Sequence, residues 1–106
     1  MSVAAQQNLV VPPPGLAVVA YERVAAFAVL QALPAQPADH ISVYAIISVE
    51  GGNVRWRADG TSPTALIGSP LYATARQPFT KDVFDALEFF PMDSSTVTMN
   101  IEWYGR

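Results

Sequence analysis

The stretch ISVYAIISVEGGNVRWRA, residues 41–58, decides the fold. Two sets of side chains alternate along its first half, as they do in a β-strand. One set is Ile41, Val43, Ala45, Ile47 and Val49, and the other is Ser42, Tyr44, Ile46 and Ser48. Both sets contain apolar residues, which predicts a strand in the interior of a sheet.

A tight hairpin follows this strand. Gly51, Gly52 and Asn53 accept the positive φ angles that short hairpin turns require. In the return strand, 54–58, the apolar residues keep a period of two, and Arg55 and Arg57 face the other way. Trp56 is therefore expected on the core side.

Further strands are predicted on both sides of the hairpin. In the closing segment, 96–104, one face carries Val97, Met99, Ile101 and Trp103. The segment 16–33 suits one helix or two strands, and its β-branched and aromatic residues favour strands. Short strands are predicted at 71–75 and 87–90, and a helical turn at 80–86, with Thr80 as its cap and Asp82 near its positive end.

These elements predict an all-β fold, a single antiparallel β-sandwich of jelly-roll type with about seven or eight short strands. Residues 16–106 form this domain. Residues 1–15 are predicted to be an extended N-terminal arm, because three consecutive prolines fix φ and remove backbone donors. The arm supplies six candidate interface residues: Leu9, Val10, Val11, Pro12, Pro13 and Pro14. The alternative is a loose chain terminus that contacts no partner.

Composition favours assembly with other proteins. Of the 106 residues, 51% are hydrophobic and only 14% are charged, so much of the surface must be neutral. Frequent alanines offer a simpler explanation for part of that count. A net charge of −3 opposes nucleic-acid binding. Glu22 and Arg23 interrupt the apolar segment 15–33, which opposes a membrane span, and no signal peptide is recognised at the start.

The residues predict neither an enzyme nor a cofactor or metal site. The chain has no cysteine, and His40 is its single histidine. Asp39 is adjacent to His40, and neighbours on a strand point to opposite faces. The carboxylates show no paired spacing, and Asp59-Gly60-Thr61 fits a capped turn better than a calcium loop.

Arg55 and Arg57 complete the candidate interface. They share one exposed face of the predicted return strand. Arginine pairs well with carboxylates, so both are expected to meet acidic residues on a neighbouring strand or on another subunit.

The stretch 48–64, SVEGGNVRWRADGTSPT, resembles a pattern of small tailed-bacteriophage virion proteins, roughly xVEGxxVRYRxDGTxPTxxxGxxL. The similarity continues through Gly68 and Leu71 to the LEFF segment at 87–90 and the closing strand, VTMNIEWY at 97–104. It covers about residues 42–106, and the segment 77–85 departs from the pattern. No functional residue is implied by it.

The resemblance implies a structural role in the virion, assembled in the host cytoplasm: a capsid decoration or cement protein that reinforces the shell through protein–protein contacts. Its expected partners are the major capsid protein or another virion protein and further copies of itself, as a dimer or trimer, without nucleic acid or membrane. The alternative is a head-fibre or tail accessory module that binds a host receptor or glycan. For that role, Tyr44, Tyr72, Trp103 and Tyr104 would form an exposed stacking surface.

Overall fold

Eight β-strands form two antiparallel four-stranded sheets in the computed structural model, which describes residues 11–37, 41–93 and 96–105. The strands are β1 Ala17–Phe27, β2 Gln31–Ala32, β3 Ser42–Glu50, β4 Val54–Arg57, β5 Ser69–Leu71, β6 Arg76–Thr80, β7 Glu88–Pro91 and β8 Val97–Gly105. A 3₁₀ helix, Lys81–Ala86, joins β6 to β7. The predicted all-β sandwich is confirmed.

The strand order is that of a jelly roll. Sheet I has the order β1-β8-β3-β6 and sheet II the order β2-β7-β4-β5. The first strand therefore pairs with the last, the second with the seventh, the third with the sixth and the fourth with the fifth. A long hairpin with the β4–β5 connection at its tip gives this order when it wraps so that successive pairs fall in alternate sheets.

The core lies between the two sheets, and β8 is one of its main contributors. Val97, Met99, Ile101 and Trp103 are buried, as their alternation predicts. Trp103 is fully buried, packs edge to face against Phe84 at 5.4 Å between ring centroids, and donates from Nε1 to Glu22 Oε1 at 3.2 Å. The indole thereby gains both apolar contacts and an acceptor for its polar atom.

Strand β3 lies in the interior of sheet I, between β8 and β6, as predicted. Ala45, Ile47 and Val49 belong to the core, but the alternation predicted for its first residues is wrong. The register shifts between Ser42 and Tyr44, so Ser42 is fully buried and Ile41 is 65% exposed. An irregularity of this kind adds one residue to one strand and reverses the faces beyond it.

The tight hairpin predicted at Gly51, Gly52 and Asn53 is wrong, because β3 and β4 do not pair. This turn carries the chain from sheet I to sheet II.

The predicted strand at 71–75 is also wrong, since β5 ends at Leu71 and β6 begins at Arg76, and residues 72–75 connect these two proline-containing strands. Pro70 is in β5 and Pro78 is in β6, and each strand forms one edge of its sheet. Proline lacks the N–H that a central strand must donate, so an edge is the position where a sheet tolerates it. Because proline is unusual within a strand, the sequence pattern did not predict β5 or β6.

The segment 16–33 forms strands, β1 and β2, as predicted. Of the arm, only residues from Val11 onward are described, and they form no strand before β1. Pro14 and Gly15 make a turn, with φ of 84° at Gly15. The predicted helical turn is the 3₁₀ helix; Thr80 precedes it, but its hydroxyl binds the Asp82 carboxylate instead of capping the backbone. No helix in the described ranges is long and apolar enough to cross a membrane.

Replacing Phe89 by Ala should test whether neighbouring side chains of β7 point to opposite faces of sheet II, one into the core and one away from it. Phe89 is fully buried, whereas its neighbour Phe90 is half-buried on the opposite face. We expect F89A to lower the free energy of unfolding by about 3–5 kcal/mol and F90A by clearly less. Urea denaturation measures both values. If F89A does not fold, F89L should still cost more than F90L, and equal losses would contradict the assigned faces.

Candidate functional site

The loop 58–68, which joins β4 to β5, is the candidate functional site. It forms the tip of the wrapped hairpin, and the strands on either side of it pair directly: Val54 lies opposite Leu71, and Trp56 lies opposite Ser69. The loop therefore leaves sheet II and returns to it at adjacent strands.

Arg55 holds the C-terminal part of this loop. Its Nε donates to the carbonyl oxygen of Ala65 at 3.1 Å, and Nη1 donates to that of Gly68 at 2.9 Å. Within this chain its described partners are main-chain carbonyls and not a carboxylate on a neighbouring strand. Pairing of Arg55 with a carboxylate of another subunit stays a prediction. A guanidinium carries several donors in a fixed plane and can therefore bind two carbonyls that one loop brings together.

Arg57 binds the N-terminal part of the loop 58–68. It forms a two-pronged ion pair with Asp59, with Nε 3.1 Å from Oδ1 and Nη2 2.5 Å from Oδ2. Asp59 Oδ1 also accepts from the backbone N–H of Thr61 at 3.2 Å, as expected for a capped turn. The carboxylate thus lies two residues along the chain, not on a neighbouring strand. Glu88, which lies opposite Arg57 on β7, accepts from the Ser62 hydroxyl instead.

The hydrogen bonds to Arg57 and to the Thr61 backbone lower the pKa of Asp59 to about 2. Both stabilise the ionised carboxylate, and the bond to Arg57 contributes most. The Arg57–Asp59 pair is therefore intact at neutral pH.

Thr64 orders the middle of the loop. Its Oγ1 accepts from the backbone N–H groups of Leu66 at 3.2 Å and Ile67 at 3.0 Å, and its own N–H donates to the carbonyl of Ile67 at 2.9 Å. Pro63, which precedes Thr64 in the loop, is buried. At Gly68, φ is 127°, and a Cβ atom would lie 3.0 Å from the Trp56 carbonyl oxygen, so glycine permits the return to β5.

This ordered loop exposes two adjacent aliphatic side chains, which we call the apolar tip: Leu66, 85% exposed, and Ile67, 54% exposed. The neighbouring polar side chains of Arg55 and Thr64 form hydrogen bonds with the backbone of the loop. An apolar surface fixed in this way can bind another protein without first ordering the loop, which lowers the entropy cost of association. The sequence pattern missed the tip, although two bulky aliphatics within a turn-rich segment were the available signal.

The other predicted site residues are not brought together. Trp103 is fully buried and Tyr104 is 8% exposed, so the predicted four-residue aromatic surface does not form. Tyr44 packs edge to face against Tyr104 on sheet I, and Tyr72 lies at the opposite sheet, after β5. Burial is the main cause of the raised pKa of the Tyr104 phenol.

In the arm, the described residues leave Val11 75% exposed, with Pro13 and Pro14 exposed and Pro12 half-buried. Leu9, Val10, Asp39 and His40 lie outside the described residues. An open apolar cleft of about 370 Å³ is lined by Tyr44, Trp56, Pro78, Phe79, Thr80 and Val83. Over residues 11–37, 41–93 and 96–105, no group of three or more His, Asp or Glu side chains is placed to hold a metal ion.

Replacing Arg55 by Met should loosen the apolar tip while keeping an unbranched side chain. The Ala65 and Gly68 carbonyls lose their donors, and each lost hydrogen bond is worth about 1 kcal/mol. We expect the Leu66 and Ile67 amides to exchange with solvent about tenfold faster, as measured by NMR hydrogen exchange. R57M is the control, because Arg57 binds the other end of the loop. Equal exchange at these two amides in R55M and the wild type would contradict the role of Arg55.

The Arg57–Asp59 pair predicts the titration of one carboxyl. Because the pKa of Asp59 is lowered in the folded chain, the pair favours folding above the ordinary carboxyl range, and this contribution is lost as pH falls from about 4 to about 2. NMR titration of the Asp59 carboxyl should give a midpoint near 2 in the wild type, moving up towards 3.8 in R57Q. A wild-type midpoint already near 3.8 would contradict the pairing.

Comparison with known proteins adds no family assignment: no family model, curated protein or solved structure matches this chain.

Proposed function

We propose that the chain is a structural protein of a phage virion, a capsid decoration or cement protein that binds the shell surface and reinforces it through protein–protein contacts. The observation that carries this proposal is the apolar tip, Leu66 and Ile67, held outward by the hydrogen bonds of Arg55 and Thr64. The tip is the surface that we assign to docking on the shell.

The segment that resembles phage virion proteins supports the assignment. Its Arg-x-Arg-x-Asp-Gly-Thr-x-Pro-Thr core supplies Arg55, the Arg57–Asp59 pair, buried Pro63 and Thr64, which together build the loop. These residues act within the chain, so the pattern accounts for an ordered shape. Jelly rolls occur in viral capsid domains, as well as in lectins and cupins, and the fold alone does not choose among them.

The docking would be driven by apolar burial. Moving one exposed Leu or Ile side chain into a contact is worth about 1.5–3 kcal/mol, so the tip supplies a useful part of the affinity for one site. On a symmetric shell, the same contact repeats at many positions, and an oligomer that binds several sites gains affinity without new contacts.

The N-terminal arm offers a second contact. Val11, Pro13 and Pro14 are exposed, so the side chains of this described part remain available to a neighbour. Prolines restrict the unbound chain and reduce the entropy lost on binding. We assign the arm to a shell protein or to an adjacent copy, as the sequence predicted.

The double variant L66D/I67D tests the assignment. Charge placed on the apolar tip should prevent its burial against a shell, because an unpaired carboxylate is costly to desolvate. We expect the wild-type chain to co-sediment with shells of the phage that encodes it and to raise their melting temperature. The variant should lose both effects while its own unfolding midpoint is unchanged.

The matched control is V29D/L30D. Val29 and Leu30 are also adjacent, apolar and exposed, at 67% and 40%, but they lie between β1 and β2. This variant should bind shells as the wild type does. Equal binding by all three proteins would exclude the tip as the docking surface, and failure of the wild-type chain to bind shells would overturn the proposed function.

A further inference from the structure

Asp59 and Gly60, both exposed in the loop 58–68, form a sequence pair with a chemistry of its own. They are the one Asp-Gly pair of the chain, which contains no Asn-Gly pair. Glycine has no Cβ atom to hinder an approach to its backbone nitrogen, so an aspartate side chain can reach that nitrogen and react with it. At Gly60, φ is 85°, and even a Cβ atom placed there would meet nothing within 4 Å beyond its chain neighbours. The surroundings of the pair therefore leave room for a ring to form.

The reaction open to such a pair is the isomerisation of aspartate. In its first step the Gly60 nitrogen attacks Cγ of Asp59: the N–Cγ bond forms, the Cγ–OH bond of the neutral carboxyl group breaks, and one water leaves with the amide proton. Water then opens the five-membered imide, and both residues are exposed to it. Cleavage at Cγ restores aspartate, whereas cleavage at the main-chain carbonyl gives isoaspartate. The overall reaction therefore needs no oxidant, reductant or other reactant.

The ion pair with Arg57 opposes the first step in two ways. An ionised carboxylate has no hydroxyl group to leave as water, and the bonds from Arg57 and the Thr61 N–H lower the pKa of Asp59 to about 2. Both carboxylate oxygens are also held: Oδ1 accepts from Arg57 Nε at 3.1 Å and from the Thr61 N–H at 3.2 Å, and Oδ2 accepts from Nη2 at 2.5 Å. Attack by nitrogen makes Cγ tetrahedral, which three bonds to a planar carboxylate oppose.

We propose that Asp59-Gly60 is a site of spontaneous isomerisation, and that Arg57 restrains the reaction by binding the Asp59 carboxylate. This inference rests on the chemistry of the loop and does not depend on the proposed function. It gives Arg57 a role different from that of Arg55, which binds main-chain carbonyls in the C-terminal part of the loop.

Isomerisation would alter the loop that carries the apolar tip. The main chain of isoaspartate passes through Cβ and Cγ, which lengthens it by one carbon atom and leaves the former main-chain carboxyl as the side group. Neither the two-pronged pair with Arg57 nor the bond from the Thr61 N–H keeps its geometry after this change. The restraint by Arg57 therefore preserves the N-terminal part of the loop over the lifetime of the folded chain.

Ageing of the folded chain tests the proposal. The wild type and R57M are incubated at a mildly acidic pH, above the ordinary aspartate pKa, and digested. Chromatography separates the peptides that contain residue 59, because isoaspartate changes their retention but not their mass. Above both values, a pKa rise from about 2 to 3.8 increases the neutral fraction of a carboxyl group about 60-fold. The Thr61 bond remains in R57M, so we expect isoaspartate at residue 59 to accumulate about tenfold faster than in the wild type.

R55M is the matched control for the loss of an arginine that binds this loop. Arg55 lies on the same strand as Arg57, but its two hydrogen bonds go to main-chain carbonyls and leave the Asp59 carboxylate paired. R55M should therefore isomerise at residue 59 at the wild-type rate. Asp93, an exposed aspartate followed by serine, is the internal reference, and its rate should be equal in all the proteins.

Unfolding in urea shows whether the folded contact is responsible, because the wild type and R57M should then isomerise at the same rate. If R57M does not fold, R57K serves instead: lysine keeps the charge but cannot form the two-pronged pair, so its rate should also exceed that of the wild type. Three results would overturn the proposal: equal rates in the folded wild type and the folded Arg57 variant, equal acceleration by R55M, or a difference that persists undiminished in urea.

Discussion

The antiparallel ladder between β8 and its two neighbours, β1 and β3, is the interaction on which the rest of the structure depends. It extends along β3 from the Ser42–Gly105 pair to the Glu50–Thr98 pair, and along β1 from Ala17 to Phe27. Strands distant in sequence are thereby joined, and the wrapped hairpin is closed. Because β8 is paired on both sides, its alternating side chains must fill the space between the sheets, which places Trp103 in the core.

The loop 58–68 reverses the usual relation between polarity and exposure. The polar side chains of Asp59 and Thr64 in the loop, and of Arg55 in β4, bind loop atoms, whereas Leu66 and Ile67 face solvent. Hydrogen bonds from polar side chains can order the backbone of a loop whose own apolar side chains are not buried. The apolar side chains are then free to contact another protein, and this is the physical basis of the proposed docking role.

The edge strands of the described sheets are protected in different ways. β2 and β5 are short, β5 and β6 contain proline, and β1 has two register irregularities and a charged residue, Glu22, that points inward to Trp103. Such features limit the pairing of a sheet edge with a strand of another chain.

The sequence by itself determined the fold class, the position of the turn between β3 and β4 and the buried faces of β8 and most of β3, because a period of two records which side of a strand is apolar. It also placed Trp56 and the two arginines of β4 on opposite faces. It did not determine that the turn between β3 and β4 joins two different sheets instead of closing a hairpin. Tertiary structure alone decided the pairing order, the irregularity at Ser42 and the use of Pro70 and Pro78 at sheet edges. It also decided the partners of Arg55 and the exposure of Leu66 and Ile67. These features depend on contacts between residues distant along the chain or on loop geometry, and neither leaves a periodic trace in the sequence.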